Sequence, residues 1–293
     1  MIVTIHNDQL TLTADTLGAQ MQSITSYKGT EYLWNGDERY WKGRAPVLFP
    51  FVARLKDKTY TVNGGTYQMK IHGFASACEF EVAEQTESSV TFALRDNEVT
   101  RAQYPFAFLF KVRYALKEST VEVTYTVDNP ADEMLHFGLG GHPGFNVPLK
   151  EGTSFEDYYL RFSQPCEPDR VGFSSEILVS GVDKRYELED GQIIRLHHDL
   201  FDHDAIVLKN MAKSVTIASD KTKRHVTVSY PHMPYVGFWH AERKAAPYVC
   251  VEPWVSLPAR DGVIEDFACK GDLIHLPGHG SYENTCYITI GEE

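Results

Sequence analysis

Residues 106–132 read FAFLFKVRYALKESTVEVTYTVDNPAD, and in them apolar and polar side chains alternate almost without a break. A period of two belongs to a strand with one face on a core and the other wetted, so this stretch predicts two long strands turning at Lys117-Glu118-Ser119. The same alternation recurs outward along the chain in QLTLTA (9–14), TYTVNGGTYQMKIHG (59–73) and EFEVAEQTESSVTFALRDN (79–97). The segment TYTVNGGTYQM predicts a second hairpin, turning at Asn63-Gly64-Gly65. Helical periodicity is nearly absent; the best candidate is a turn or two between Asp96 and Gln103, capped by Asn97. Many short strands at this spacing predict an all-β sandwich or barrel.

The chain has 293 residues, with 43% hydrophobic and 23% charged side chains, enough to build a large core without metal or disulfide support. No stretch reads as an interdomain linker and no repeat of solenoid or propeller length is visible, so a single domain over 1–293 is expected. Lys and Arg number 28 against 40 Asp and Glu, a net charge of −12, and that sign repels nucleic-acid backbones and anionic membranes. Neither partner is expected. The N-terminus is broken by His6, Asn7 and Asp8 before any leader-like apolar run, and a cytoplasmic protein is expected. Cys78, Cys166, Cys250, Cys269 and Cys286 are odd in number, widely spread and without a CxxC pair, which predicts buried free thiols.

Several segments break the alternation and gather functional side chains. The segment Gly43–Asp57 holds an apolar run with two prolines that closes at Arg54, which either grips hydroxyls or a carboxylate through its planar fork or closes a surface ion pair; spacing alone favours the ion pair. His72 precedes a glycine in KIHGFA. Four glycines surround His142 in LHFGLGGHPGFN and predict a tight, exposed loop presenting an imidazole; no helix follows, so this is not a phosphate loop. His136 falls on the same face by period two, but two histidines without a third ligand do not call for a metal. In YVCVEPW an apolar strand closes on Glu252, a residue that needs partners or work to do there, either a salt bridge to an arginine or catalysis. Trp254 offers the flat face that suits the C–H side of a sugar ring. Asp202 and Asp204 lead into the apolar run AIVL, whereas His197-His198-Asp199 and Glu242-Arg243-Lys244 read as solvated loops.

Taken in order, APVLFPFVARLKD, HGFA, GLGGHPGFN, FDHDAIVL and CVEPW make the chain resemble the aldose 1-epimerase, or galactose mutarotase, family, and most closely its LacX-like branch. The resemblance runs from residue 45 to 254. It implies an antiparallel β-supersandwich and cofactor-free interconversion of the α and β anomers of a free sugar. Carried over position by position, it implies Glu252 as general base, His142 as general acid and His72 as a second active-site histidine. It also implies substrate contacts from Arg54 and from an aspartate, Asp204 in preference to Asp202. The sequence departs from galactose mutarotases around CVEPW and in the following SLPARDG, which leaves the preferred sugar open. Opening a hemiacetal ring needs a base at the anomeric hydroxyl and an acid at the ring oxygen, so no metal or cofactor is called for. Hexose 6-phosphates are the alternative substrates, with Arg44, Lys56 and Arg260 as candidate phosphate donors, and a noncatalytic sugar binder is the alternative from outside enzymology. A monomer and a homodimer are equally compatible with the sequence.

Overall fold

The alternating stretch forms two nine-residue strands, Leu109–Lys117 and Thr120–Asp128, in the computed structural model, which describes residues 1–292. Lys117 pairs with Thr120, so the turn is Glu118-Ser119, with Glu118 in the left-handed region at φ 51°. In the other hairpin Val62 pairs with Gly65, and Asn63 and Gly64 both take positive φ, 51° and 76°, as a tight hairpin turn matched to strand twist requires. The short helix also forms: Glu98–Arg101, with the Asn97 side chain accepting from the amides of Val99 and Thr100.

Among the described residues, two large antiparallel sheets dominate. Nine strands make the first, in the order Ile193–Arg195, Tyr158–Phe162, Ser214–Ser219, Thr222–Ser229, Ser281–Gly291, Thr120–Asp128, Leu109–Lys117, Ser89–Arg95 and Glu81–Gln85. The second runs Lys184–Arg185, Asp169–Arg170, Ile206–Lys209, Tyr235–Trp239, Tyr248–Trp254, Gly140–Gly141 and Val47–Leu48, with Gly144–Asn146 also pairing on Tyr248–Trp254. A smaller antiparallel sheet joins Ile2–His6, Leu10–Asp15 and Gln20–Ser26. The antiparallel β architecture expected from the sequence is what the chain adopts; among the described strands Glu265–Asp266 departs from it, lying parallel to Tyr60–Thr61.

Period two decides which side chains meet between the sheets. In Thr120–Asp128 every second residue is buried, and outside them Thr120 and Thr124 pair their hydroxyls with Thr289 and Thr285 at 2.9 Å. From the second sheet Ile206, Leu208, Val236, Phe238, Val249 and Val251 enter the same hydrophobic cluster as Val121, Val123, Val226 and Ile288 of the first. Phe162 and Phe238 touch across the layers, ring centroids 6.2 Å apart. The opposite face of the second sheet carries Val207, Trp239, Cys250 and Trp254, which pack in separate small clusters. That outer face is where the functional side chains gather.

Candidate active site

All seven residues of the strand Tyr248–Trp254 are buried, and they divide by alternation. Val249 and Val251 point to the core between the sheets, whereas Tyr248, Cys250, Glu252 and Trp254 line up on the outer face. Glu252 stands opposite Gly237 on one neighbouring strand, and Trp254 opposite Gly140 on the other. The Val251 amide donates to Pro143 O at 3.1 Å and the His142 amide to Pro46 O at 3.0 Å, so the His142 backbone is held between two strands. Its Nε2 comes to 3.3 Å from Glu252 Oε2. Among the described residues no arginine pairs with Glu252; the group that meets its carboxyl is this histidine.

The glycines around His142 do not make the exposed loop that the sequence suggested. His142 is 9% exposed, and none of Gly138, Gly140, Gly141 and Gly144 takes a positive φ. Their role is close approach: a Cβ on Gly140 would lie 2.7 Å from Pro253 O, and one on Gly141 2.7 Å from the Tyr125 hydroxyl. Nor does His136 share the site. Its strand, Leu135–Phe137, ends before Gly140–Gly141 begins, so counting by two across the gap fails, and its Nδ1 instead lies 2.6 Å from His275 Nδ1.

His72 sits in the left-handed region at φ 64°, beside Gly73 at φ 76°, where a Cβ would come within 2.2 Å of Phe49 O. Two hydrogen bonds lock it to the end of the Gly43–Asp57 run: its amide donates to Ala53 O at 2.9 Å, and its Nδ1 accepts from the Ala53 amide at 3.1 Å. Because Nδ1 is an acceptor, the proton of the neutral ring is on Nε2, which makes this histidine a donor. By contrast, His142 Nδ1 is buried without a hydrogen-bond partner among the described residues, so no second contact fixes its tautomer.

Arg54, His72, His142, Asp204, Glu252 and Trp254 all line one cavity of about 700 Å³. Arg54 Nη2 lies 3.9 Å from Asp204 Oδ2, so the ion pair that spacing favoured does form, and it forms at the cavity with Asp204. Asp202 is turned elsewhere, accepting from the Arg243 amide at 3.2 Å. Sequence reasoning missed two aromatic walls. Trp41 stacks on His142 with centroids 4.9 Å apart, and Trp239 meets it edge-on at 5.6 Å. Trp239 ends an apolar strand just as Trp254 does, a signal that was available; Trp41 stands in an aperiodic segment that gave none. Glu242, read as part of a solvated loop, is exposed but also lines the cavity. His198, read the same way, stacks on Phe155 at 4.2 Å and bonds His240.

Burial opposes charge on both members of the central pair. It pushes the Glu252 carboxyl well above the usual carboxylate range, helped by the charge of Asp204. It pushes the His142 imidazole well below its ordinary value, helped by His72. His72 is lowered to about 4, by burial first and then by Arg54. The carboxyl group beside His142 does not reverse its lowering, because desolvation dominates at so dry a position. The thiols divide: Cys250 and Cys286 are buried, Cys78 and Cys166 half-buried, and Cys269 is exposed, so only part of the expected burial holds.

The family description "aldose 1-epimerase" matches residues 1–260. The chromosomal LacX protein of Lactococcus lactis subsp. lactis is 33% identical over 266 residues, covering 88% of each chain. A galactose mutarotase related enzyme from Lactobacillus acidophilus superposes with a TM-score of 0.95 at 35% identity, over 100% of this chain and 98% of that one. A galactose mutarotase-like protein from Lactobacillus casei gives 0.92 at 31% identity, over 99% and 100%. With this fold and this extent of match, the chain belongs to the aldose 1-epimerase family, a family of sugar isomerases.

Proposed function

We propose that the protein interconverts the α and β anomers of a free neutral aldose by ring opening and reclosure. The observation that carries this reading is the contact between Glu252 and His142, a carboxyl and an imidazole 3.3 Å apart that both face a sugar-sized cavity. Glu252 takes the proton of the anomeric hydroxyl while His142 gives one to the ring oxygen, and the C1–ring oxygen bond breaks to leave the open aldehyde. Rotation about the C1–C2 bond presents the other face of the carbonyl. On reclosure the two groups return the protons, so the pair ends as it began. The His72 Nε2–H, held by Ala53, donates to a sugar oxygen; Arg54 and Asp204 bind hydroxyls, and Trp254 with the tryptophans around His142 supplies flat apolar contact.

A neutral substrate is favoured because the cations considered for a phosphate are engaged elsewhere. Arg44 Nη1 donates to Gln22 O at 2.7 Å, Lys56 pairs with Glu176 at 2.7 Å, and Arg260 grips Glu265 through two nitrogens. A binder without catalysis would need the aromatic and hydroxyl-binding groups but not a carboxyl and an imidazole in contact. Optical rotation of freshly dissolved α-glucose and α-galactose, extended to other aldoses and their 6-phosphates, tests the reading. Faster decay to the equilibrium rotation for a neutral aldose is expected; no acceleration with any sugar would overturn it.

A further inference from the structure

Proton transfer between Glu252 and His142 leaves Cys250 without a task, although its side chain shares their strand face. Cys250 is two residues from Glu252 and stands opposite Gly144, two residues beyond His142. Its Sγ, a ring nitrogen of His142 and a carboxylate oxygen of Glu252 all lie within 4.8 Å of one another, and all three residues are buried. Thiolate, imidazole and carboxylate together are the donor set of borderline-soft divalent cations, bound at about 2.0–2.3 Å. Around one tetrahedral ion, donors at that range stand roughly 3–4 Å apart. The His142–Glu252 separation of 3.3 Å already meets this, and the thiol has at most a short way to move.

We infer that His142, Cys250 and Glu252 form a site for a thiophilic divalent cation, and that filling it blocks the acid–base centre. Thiolate and carboxylate together cancel the double charge, which is what a buried cation requires. His142 and Glu252 line the cavity, so the fourth position of the ion faces the space a sugar would use. Binding forms metal–sulfur, metal–nitrogen and metal–oxygen bonds; the thiol proton and the proton held by the pair leave to solvent, and no electron is transferred. Two other close histidine pairs, His136 with His275 and His198 with His240, bring no third donor into such a group among the described residues.

Blocking rests on the function proposed above, but binding does not, and the experiment separates them. Zinc is titrated calorimetrically into the whole protein, and cobalt is added to a second sample to read its absorption spectrum. One equivalent of zinc should bind, and cobalt should show an intense sulfur-to-metal charge-transfer band. Cys250→Ser should lose the band and weaken zinc by at least about tenfold, the lower end of what even an outer partner of a metal ligand contributes. A variant with Cys78, Cys166 and Cys269 all changed to Ser should keep both signals. Melting curves verify folding, with Cys250→Ala in reserve should the serine be poorly tolerated. Absence of zinc binding to the unmodified protein, or binding undiminished in Cys250→Ser and Cys250→Ala, would overturn the site. In the rate assay zinc should abolish the acceleration and Cys250→Ser should escape it; turnover unaffected by bound zinc would overturn the block alone. If no sugar is turned over, the function falls and the titration still decides the site.

Discussion

Glu252 and His142 share a position that disfavours a charge on either one, and the pair is therefore best described by the proton they hold in common. Burial pushes the carboxyl up and the imidazole down, so a single shared proton is drawn toward the carboxyl relative to the same pair in water. The productive arrangement, with the proton on His142, is reached across the 3.3 Å contact. Such groups titrate as a unit. The kcat/KM profile should be a bell: the double-protonated pair fails at low pH and the bare pair at high pH. Because the imidazole is lowered and the carboxyl raised, the acidic limb should lie below the ordinary histidine value and the alkaline limb above the ordinary glutamate value. Glu252→Gln should remove one limb and reduce kcat by a factor on the order of 10² to 10⁴. Near-normal turnover in that variant would assign the base elsewhere.

His72 differs because its tautomer is already fixed by Ala53. Asparagine tolerates the left-handed backbone found there, so His72→Asn isolates the loss of the Nε2–H donor. The expected result is a rise in KM for the preferred sugar with the bell retained; a lost limb would make His72 a proton carrier. The sequence singled out both histidines and Glu252 because each stands in a short block of unusual residues. The burial of His142 was not legible, since it depends on Trp41 and Trp239 arriving from segments far away in the chain.

Elements were legible in proportion to their length. The Asn63-Gly64 and Glu118-Ser119 hairpins and the Asn97-capped turn are local structures, so local sequence suffices to specify them. Strands such as Val47–Leu48, Gly140–Gly141 and Asp169–Arg170 span two residues each and are too short to show a period. Yet Gly140–Gly141 and Val47–Leu48 form one edge of the sheet that carries the site and Asp169–Arg170 lies near the other, so the register setting His142 beside Glu252 had no sequence signal. Backbone contact does that positioning instead. Gly73 is the clearest case, lying against Phe49 O where no Cβ fits and where φ is 76°. Gly73→Ala should destabilise the fold by about 1–3 kcal/mol, the range typical of overpacking. It should also weaken sugar binding, because it shifts His72 away from Ala53. Urea unfolding and KM measured on the same variant test both effects, and unchanged values would mean that the contact is slack.

At the scale of the whole molecule, the chain interleaves its two large sheets so thoroughly that no cut would separate their cores. The nine-stranded sheet draws strands from Glu81–Gln85 to Ser281–Gly291, and the second sheet takes its strands from between them and from Val47–Leu48. The N-terminal region is tied to the far end as well: the Tyr32 hydroxyl donates to Gly291 O at 2.9 Å, and Ser26 bonds Glu292. We propose that the chain unfolds as one unit, and acid provides the means to test it. His240 is fully buried, its Nδ1 donating to Ala241 O at 2.9 Å and its Nε2 accepting from His198 Nδ1 at 3.1 Å. Burial lowers it to about 4; the neighbouring Asp202 charge works against that without reversing it. An unfolded histidine titrates near 6.5, so above that pH neither state is protonated and its contribution to stability is complete. Between about 6.5 and about 4 only the unfolded state gains the proton, and stability falls with pH. His72 shifts in the same direction, whereas the lowered His142 is offset by the raised Glu252 carboxyl that shares its proton, so the melting temperature should drop over this range and His240→Gln should reduce the slope without abolishing it. Far-ultraviolet and near-ultraviolet circular dichroism should report one coincident transition at each pH. Two separated transitions would show that the interleaved sheets nonetheless melt as independent bodies.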